Sequence, residues 1–316
     1  MQVRWLTFGT EINPFRRFNP LRPLVHWYNA RRMNQYLSLV VDDRIARHQK
    51  REDLQGVKST KSILDLALAA YLGDEQDINA MDSIFKLFAM SQIKLFLFSG
   101  HDTTSSSICY LFYVLSNNPT VLKRVTDEHD DVFGTEPKKA GSMIAEKPSL
   151  LNQIPYSLAV IKEILRLYPP VSSVRAGEPG FNVIDDDGRQ FPTDGFMVWA
   201  NSLSVQRDPA YWAQSDEFVP ERWLAPPGNP LHPVKGAWRP FEYGPRNCIG
   251  QELAVLEIKI IMVLVLRDFS IKPVYEEFDR KHPGGGERTV YGQRGYQIQR
   301  AQPSDDLPCR VTSIVR

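Results

Sequence analysis

Apolar positions follow helical spacing through the first half of the chain, then short alternating runs broken by turn residues from about residue 180. Over residues 22–47, Leu24, Trp27, Tyr28, Met33, Tyr36, Leu37, Val40 and Val41 recur at helical intervals with arginines on the other face, which predicts a long amphipathic helix. A short apolar helix is expected over 62–72, ended by Gly73. The longest helix is expected over about 78–115. Inside it an apolar run ending at Phe98 gives way to Ser99-Gly100-His101-Asp102-Thr103-Thr104-Ser105-Ser106-Ser107. Gly100 disfavours a helix by about 1 kcal/mol relative to Ala, and the hydroxyls can bond back to carbonyls one turn earlier and bend it. The stretch therefore predicts a polar, loosened turn in a buried helix, suited to water and proton transfer. A loop between two helices is the alternative. A metal-binding His101-Asp102 pair lacks companions at ligand spacing.

Asn118 as N-cap, Pro119 at the first helical position and Gly134 past the last delimit the next helix. Residues 135–150 read as a polar loop. Pro155 opens a helix closed by Pro169-Pro170. Within it Glu163 and Arg166 stand three apart on one side, a pair that alone reads as an exposed salt bridge worth under about 1 kcal/mol. Short strands follow. Phe181-Asn182-Val183-Ile184, the Asp185-Asp186-Asp187-Gly188 turn, Gln190-Phe191 and Phe196-Met197-Val198-Trp199 predict a small antiparallel sheet. Asp208-Pro209 is expected to cap a short helix. Residues 213–247 are irregular and hold seven prolines, and a loop of that length in a compact domain is usually functional. Leu253, Leu256, Ile260 and Leu264 then predict a helix over 251–267. The Gly284-Gly285-Gly286 turn and Tyr296-Gln297-Ile298-Gln299 suggest a terminal hairpin.

Composition narrows the classes. With 316 residues, 42% hydrophobic and 24% charged, the chain is of ordinary globular type and large enough for a sizeable core. A formal net charge of +1 gives no whole-molecule case for nucleic acid or an acidic membrane surface, and no aromatic–basic interleaving or phosphate-cradling glycine motif appears. Cys109, Cys248 and Cys309 lie far apart and are odd in number, which argues against a disulfide framework or a zinc site and fits a reducing compartment. Neither an apolar leader nor a long spanning run is apparent, so the chain as written is expected to carry no anchor of its own.

Cys248 stands just ahead of a predicted helix, where backbone N–H groups, the helix dipole and Arg246 place positive potential at its sulfur. That environment suits a metal ligand or a nucleophile. Gly244 and Gly250 suit a sharp turn or a flat ligand lying against the backbone. A buried structural cysteine in a glycine-rich turn is the alternative.

Four segments in order change the weighing: Ser99-Gly100-His101-Asp102-Thr103-Thr104, Glu163-Ile164-Leu165-Arg166, Pro220-Glu221-Arg222-Trp223, and Phe241-x-x-Gly244-x-Arg246-x-Cys248-x-Gly250. Together they resemble the cytochrome P450 family of heme-thiolate monooxygenases. The Cys loop is the most specific of the four, and Glu-x-x-Arg alone says little. Gly-His-Asp-Thr-Thr and Pro-Arg-Asn-Cys-Ile-Gly are similar to fungal microsomal members acting on secondary metabolites or lipids. Ser99 stands where the family usually has Ala or Gly, and Trp223 where it usually has Phe.

The resemblance implies a mainly α fold with a small β portion, the C-terminal part of the cytochrome P450 fold in one partial domain. It implies heme as cofactor, with Cys248 as axial iron ligand and Arg246 and Arg175 pairing with the propionates. Thr103 and Asp102 would relay protons to bound dioxygen, with Gly100 opening the groove. Glu163, Arg166 and Arg222 would form a buried charge network. An NADPH-cytochrome P450 reductase is the implied partner, with Lys235, Arg239 and Arg246 as a candidate docking patch. A small apolar substrate and O2 are the other implied partners, without nucleic acid, and the implied place is the endoplasmic reticulum membrane for a full-length product. The first part of the family's usual chain is missing, so the sequence looks truncated. Two rival readings are a non-catalytic fragment unable to hold heme and a reductase-independent isomerase, dehydratase or peroxygenase. The Asp102-Thr103 pair argues against the second.

Overall fold

A computed structural model describes residues 22–49, 83–282, 289–290, 293–295 and 303–314. The expected helix at 62–72 and the hairpin around 284–299 lie outside or largely outside these residues. Two compact units divide between Phe98 and Ser99.

In the first unit, α1 (Arg22–Gln49) and the opening turns of α2 (Ser83–Asn117) pack through Leu37, Val41, Ile45 and Met90, with Phe85 and Ile93 against them. Lys86 Nζ reaches Asp42 Oδ1 at 2.6 Å, and Lys94 donates to Asn34. Only the later part of the expected α1 stripe is buried. Leu24, Trp27, Tyr28, Met33 and Tyr36 are exposed.

The second unit is built on three helices. The later turns of α2, α5 (Pro155–Leu167) and α7 (Gln251–Val265) share one core that includes Tyr110, Leu111, Leu115, Val160, Ile161, Ile164, Leu165, Ile258 and Met262. Ser107, Leu111, Ile161, Ile164, Leu165 and Ile258 face one another where the three meet. Alongside run α3 (Pro119–Phe133) and α4 (Ala140–Glu146), and a smaller cluster of Phe133, Ala140, Ile144, Leu151, Ile154 and Val263 joins them to α7. The polar stretch 135–150 is therefore mostly short helix. Ala140 and Ile144, one turn apart, bury the face that its overall polarity concealed.

Three two-stranded antiparallel sheets complete the unit among the described residues. β1 (Ser173–Ala176) pairs with β4 (Met197–Ala200), and β2 (Asn182–Ile184) with β3 (Gln190–Pro192). The one expected sheet is thus two, because β4 turns away to a partner that precedes β2. β5 (Phe269–Pro273) pairs with β6 (Cys309–Ser313), a pairing that the sequence pattern did not reveal. The helix expected after Asp208-Pro209 is a single turn, in which Tyr211 and Trp212 N–H both donate to Asp208 O. Short α6 (Ser202–Val205) precedes it, and α8 (Tyr275–Lys281) follows β5.

Candidate functional site

Residues 241–250 form a closed loop at the head of α7. Cys248 N–H donates to Phe241 O at 2.8 Å and Asn247 N–H to Gly244 O at 3.1 Å. Gly244 makes the turn at φ +84°, where a Cβ would be strained. Gly250 has ordinary φ, and a Cβ there would lie 3.8 Å from Cys248 Sγ, so this glycine leaves space without being forced. The Cys248 thiol is free and exposed, not buried as a structural cysteine would be. Ile249 beside it is 89% exposed and Leu253, one turn along, 64%.

Arg246 is exposed, and its guanidinium has no hydrogen-bond or ion-pair partner among the described residues. Arg175 lies on β1 opposite Val198 and donates from Nη1 to Val174 O at 3.0 Å. Lys235 is exposed, whereas Arg239 is tied to Gly236 O through Nε at 2.7 Å.

The polar stretch of α2 stays helical, contrary to both the loosened turn and the loop alternative. Its hydroxyls bond back along the helix and so leave the main-chain ladder intact. Thr103 Oγ1 donates to Ser99 O at 2.6 Å, Ser107 Oγ to Thr103 O at 3.0 Å, and Ser105 Oγ to Asp102 O at 3.1 Å. Asp102 contacts His101 Nδ1 at 2.9 Å. Nothing lies within 4 Å of a Cβ built on Gly100. Thr103 sits one turn before Ser107 on α2, and Cys248 lies in the loop ahead of α7, two helices that share a core. No hydrogen bond joins them directly among the described residues.

The charge network is brought fully together. Glu163, Arg166 and Arg222 are all wholly buried. Glu163 Oε1 accepts from Arg166 Nη2 at 2.9 Å, Arg222 Nε at 3.0 Å and Val219 N–H at 3.0 Å; Oε2 accepts from Arg166 Nε and Trp223 Nε1, both at 3.0 Å. The two guanidiniums spend their other protons on carbonyls of Gln206, Ala213, Gln214, Ser215 and Glu217. Burial holds the Arg222 value below its usual range, with Glu163 opposing and Arg166 adding to the fall. An exposed helix pair is therefore the wrong description of Glu163 and Arg166. Gln206, which the sequence did not single out, is the keystone beside them. Its Nε2 donates to Leu165 O and Arg166 O, and its Oε1 accepts from Arg239 N–H at 2.7 Å.

Among the described residues no cluster of three or more His, Cys, Asp or Glu could hold a bare metal ion. An exposed thiol beside the large apolar side chains of Ile249 and Leu253, with the Arg246 guanidinium two residues away, fits instead a flat, carboxylate-bearing macrocycle that supplies the other metal ligands itself. A family model for cytochrome P450 matches residues 6–299. The chain belongs to the cytochrome P450 family. It is 43% identical over 320 residues to cytochrome P450 monooxygenase polC of Polytolypa hystricis, covering 99% of this chain and 56% of that protein. Cytochrome P450 monooxygenase acrF of Aspergillus aculeatus is 31% identical over 319 residues, 92% of this chain and 63% of its own length. Taurochenodeoxycholic 6 alpha-hydroxylase of Sus scrofa is 31% identical over 246 residues, 77% and 45% respectively. This cytochrome P450 chain thus spans about half the length of the curated relatives it matches. Its mainly helical fold with small antiparallel sheets is that of the family, and the family is heme-thiolate. No helix among the described residues is long and apolar enough to cross a membrane.

Proposed function

We propose that this chain acts as a heme-thiolate monooxygenase on an apolar organic substrate, a secondary metabolite or lipid. Electrons would come from NADPH-cytochrome P450 reductase at the endoplasmic reticulum membrane. The observation that carries this reading is the Cys248 loop, closed by the bond to Phe241 O, with its thiol free at the head of α7. Bound heme supplies the iron at which dioxygen is held and activated. In this reading Cys248 Sγ would hold the iron, and the loop bond and the turn at Gly244 would fix its direction. Arg246 and Arg175 hold the propionates as charge-assisted partners. Thr103 presents lone pairs while its own proton rests on Ser99 O, and passes a proton on only when that bond opens. Asp102 would take up a proton from solvent and hand it on to Thr103, and Gly100 would leave the groove open.

Lys235 and Arg246 beside the loop give a local basic surface for an acidic reductase face. The printed names of the fungal relatives support monooxygenation, and the bile-acid hydroxylase supports a lipid-like substrate. A non-catalytic fragment is the second reading, favoured by the open space around Gly100, which does not exclude water.

The test is the reduced, CO-bound spectrum of the chain after addition of hemin. A thiolate-type Soret band is expected in the native chain and absent in Cys248→Ala. The same band in that variant would show another ligand. No such band in the native chain would favour the non-catalytic fragment.

A further inference from the structure

Cys109 lies on α2 and packs against the core cluster to which Tyr275 and Leu307 belong. Tyr113, one turn further along the same face of α2, meets the ring of Tyr275 edge-on with centroids 6.3 Å apart. Tyr275 opens α8 just past β5, and Cys309, the first residue of β6, pairs with Pro273 at the end of β5. Val274 N–H donates to Pro308 O at 2.8 Å and closes the junction. The face of α2 that carries Cys109 and Tyr113 therefore lies against the segment that carries Leu307 and Cys309. We propose that Cys109 and Cys309 form a reversible disulfide when the folded chain meets a hydroperoxide, tying α2 to β6.

The turn ahead of Cys309 is strained. Asp305, Asp306 and Leu307 follow one another at φ +53°, +57° and +55°, a region that residues with a Cβ rarely occupy even singly. Contacts from outside hold it there. Arg294 donates to Asp305 Oδ2 at 2.7 Å and to Ser304 Oγ at 2.9 Å, the Tyr275 hydroxyl donates to Ser304 O at 2.8 Å, and Leu307 is buried in the shared core. A turn held against its own preference fixes the direction of the chain that leaves it, and that chain begins with Cys309. The two thiols differ in access: Cys309 is exposed and Cys109 half-buried. Burial first, then the neighbouring Cys309 thiol and Asp306, push the Cys109 value up, which keeps Cys109 in the thiol form and leaves Cys309 to react first.

The Cys309 sulfur attacks one oxygen of hydrogen peroxide; the O–O bond breaks, the sulfur becomes a sulfenic acid, and one water leaves with the thiol proton. The Cys109 sulfur then attacks the sulfenic sulfur, the S–O bond breaks, and a second water carries off the Cys109 proton. Two thiols and one peroxide thus give one disulfide and two waters, with two electrons moving from the sulfur pair to the peroxide. Reduced glutathione restores both thiols through a mixed disulfide. A bond made and undone in this way suits a reducing compartment, where disulfides are transient and sense oxidant instead of holding a framework. It uses neither Cys248 nor heme.

In the experiment the full native chain is treated with equimolar hydrogen peroxide, its remaining thiols are capped with iodoacetamide, and it is digested without reductant for mass spectrometry. A peptide pair joined through Cys109 and Cys309 should appear, two hydrogens lighter than its parts, and should be lost after reduced glutathione is added before capping. In concentrated urea, where the fold no longer holds the two residues together, the joined yield should fall several-fold. In Cys109→Ser the Cys309 sulfenic acid should persist and be trapped by dimedone. The proposal is overturned if the folded chain gives no Cys109–Cys309 peptide, if the yield is as high in urea, if glutathione does not undo the link, or if Cys309 pairs instead with Cys248 or with a second chain. Because neither oxidant nor readout involves heme, failure here is separate from failure of the hemin spectrum.

Discussion

His129, on α3, is fully buried and bonded through Nε2 to Ser157 Oγ at 2.9 Å. Ser157 gives its own proton to Glu128 Oε2 at 2.7 Å, so it can only accept from His129, which fixes the neutral tautomer with Nδ1 bare. Nδ1 has no partner among the described residues. Burial first, and then the Arg267 cation, push its value from 6.5 down to about 4, with Asp130 opposing. Because the folded value lies below the unfolded one, the stabilisation is complete above 6.5 and is lost as pH falls toward 4. Its size is up to about 3 kcal/mol. Denaturant midpoints across that window should fall in the native chain, and His129→Gln, which keeps a donor for Ser157, should flatten the fall. A native midpoint that does not move would contradict the assignment. Cys248 could be singled out from sequence because glycines, an arginine and a following helix surround it within ten residues. His129 could not, since its partners lie on other elements.

Elements join here through buried polar groups as much as through apolar faces. Glu163 ties α5 to the 3-10 turn Pro220–Trp223, and Glu163→Gln leaves two buried guanidiniums without their counter-charge. That should cost about 3–5 kcal/mol, read as a lower denaturant midpoint. Gly177, just past β1, sits so close to the neighbouring chain that a Cβ would fall 1.7 Å from Thr193 O. Gly177→Ala must therefore move backbone, and a loss of about 1–3 kcal/mol or more is expected in the same measurement. Helix bounds were largely legible: Pro119 and Pro155 open their helices as the sequence predicts. Asn118, though at the cap position, makes no side-chain cap bond. Its Nδ2 turns back to Val114 O at 2.8 Å, satisfying the end of α2 instead. Strand pairing was less legible, because three- to five-residue strands carry too little alternation to name their partners.

At the scale of the molecule, apolar side chains remain on the surface. On and beside the β1–β4 pair, Val171, Val174, Phe196, Met197 and Trp199 are all at least 47% exposed, and the pair has no third strand among the described residues. Such a surface associates. Sedimentation should show concentration-dependent self-association and dye binding should report exposed apolar area, both reduced in Met197→Lys and Trp199→Lys. Unchanged association in those variants would place the contact elsewhere. The sequence by itself determined the family, the helical frame and the thiol loop, because these depend on short-range spacing and on residue types few other chemistries need. Tertiary structure alone decided that Glu163 and Arg166 are buried rather than solvent-facing. It also turned residues 135–150 into helix and set Cys109 against the segment that carries Cys309. Each of those outcomes depends on what packs against a residue from elsewhere in the chain, and local pattern does not encode the partner.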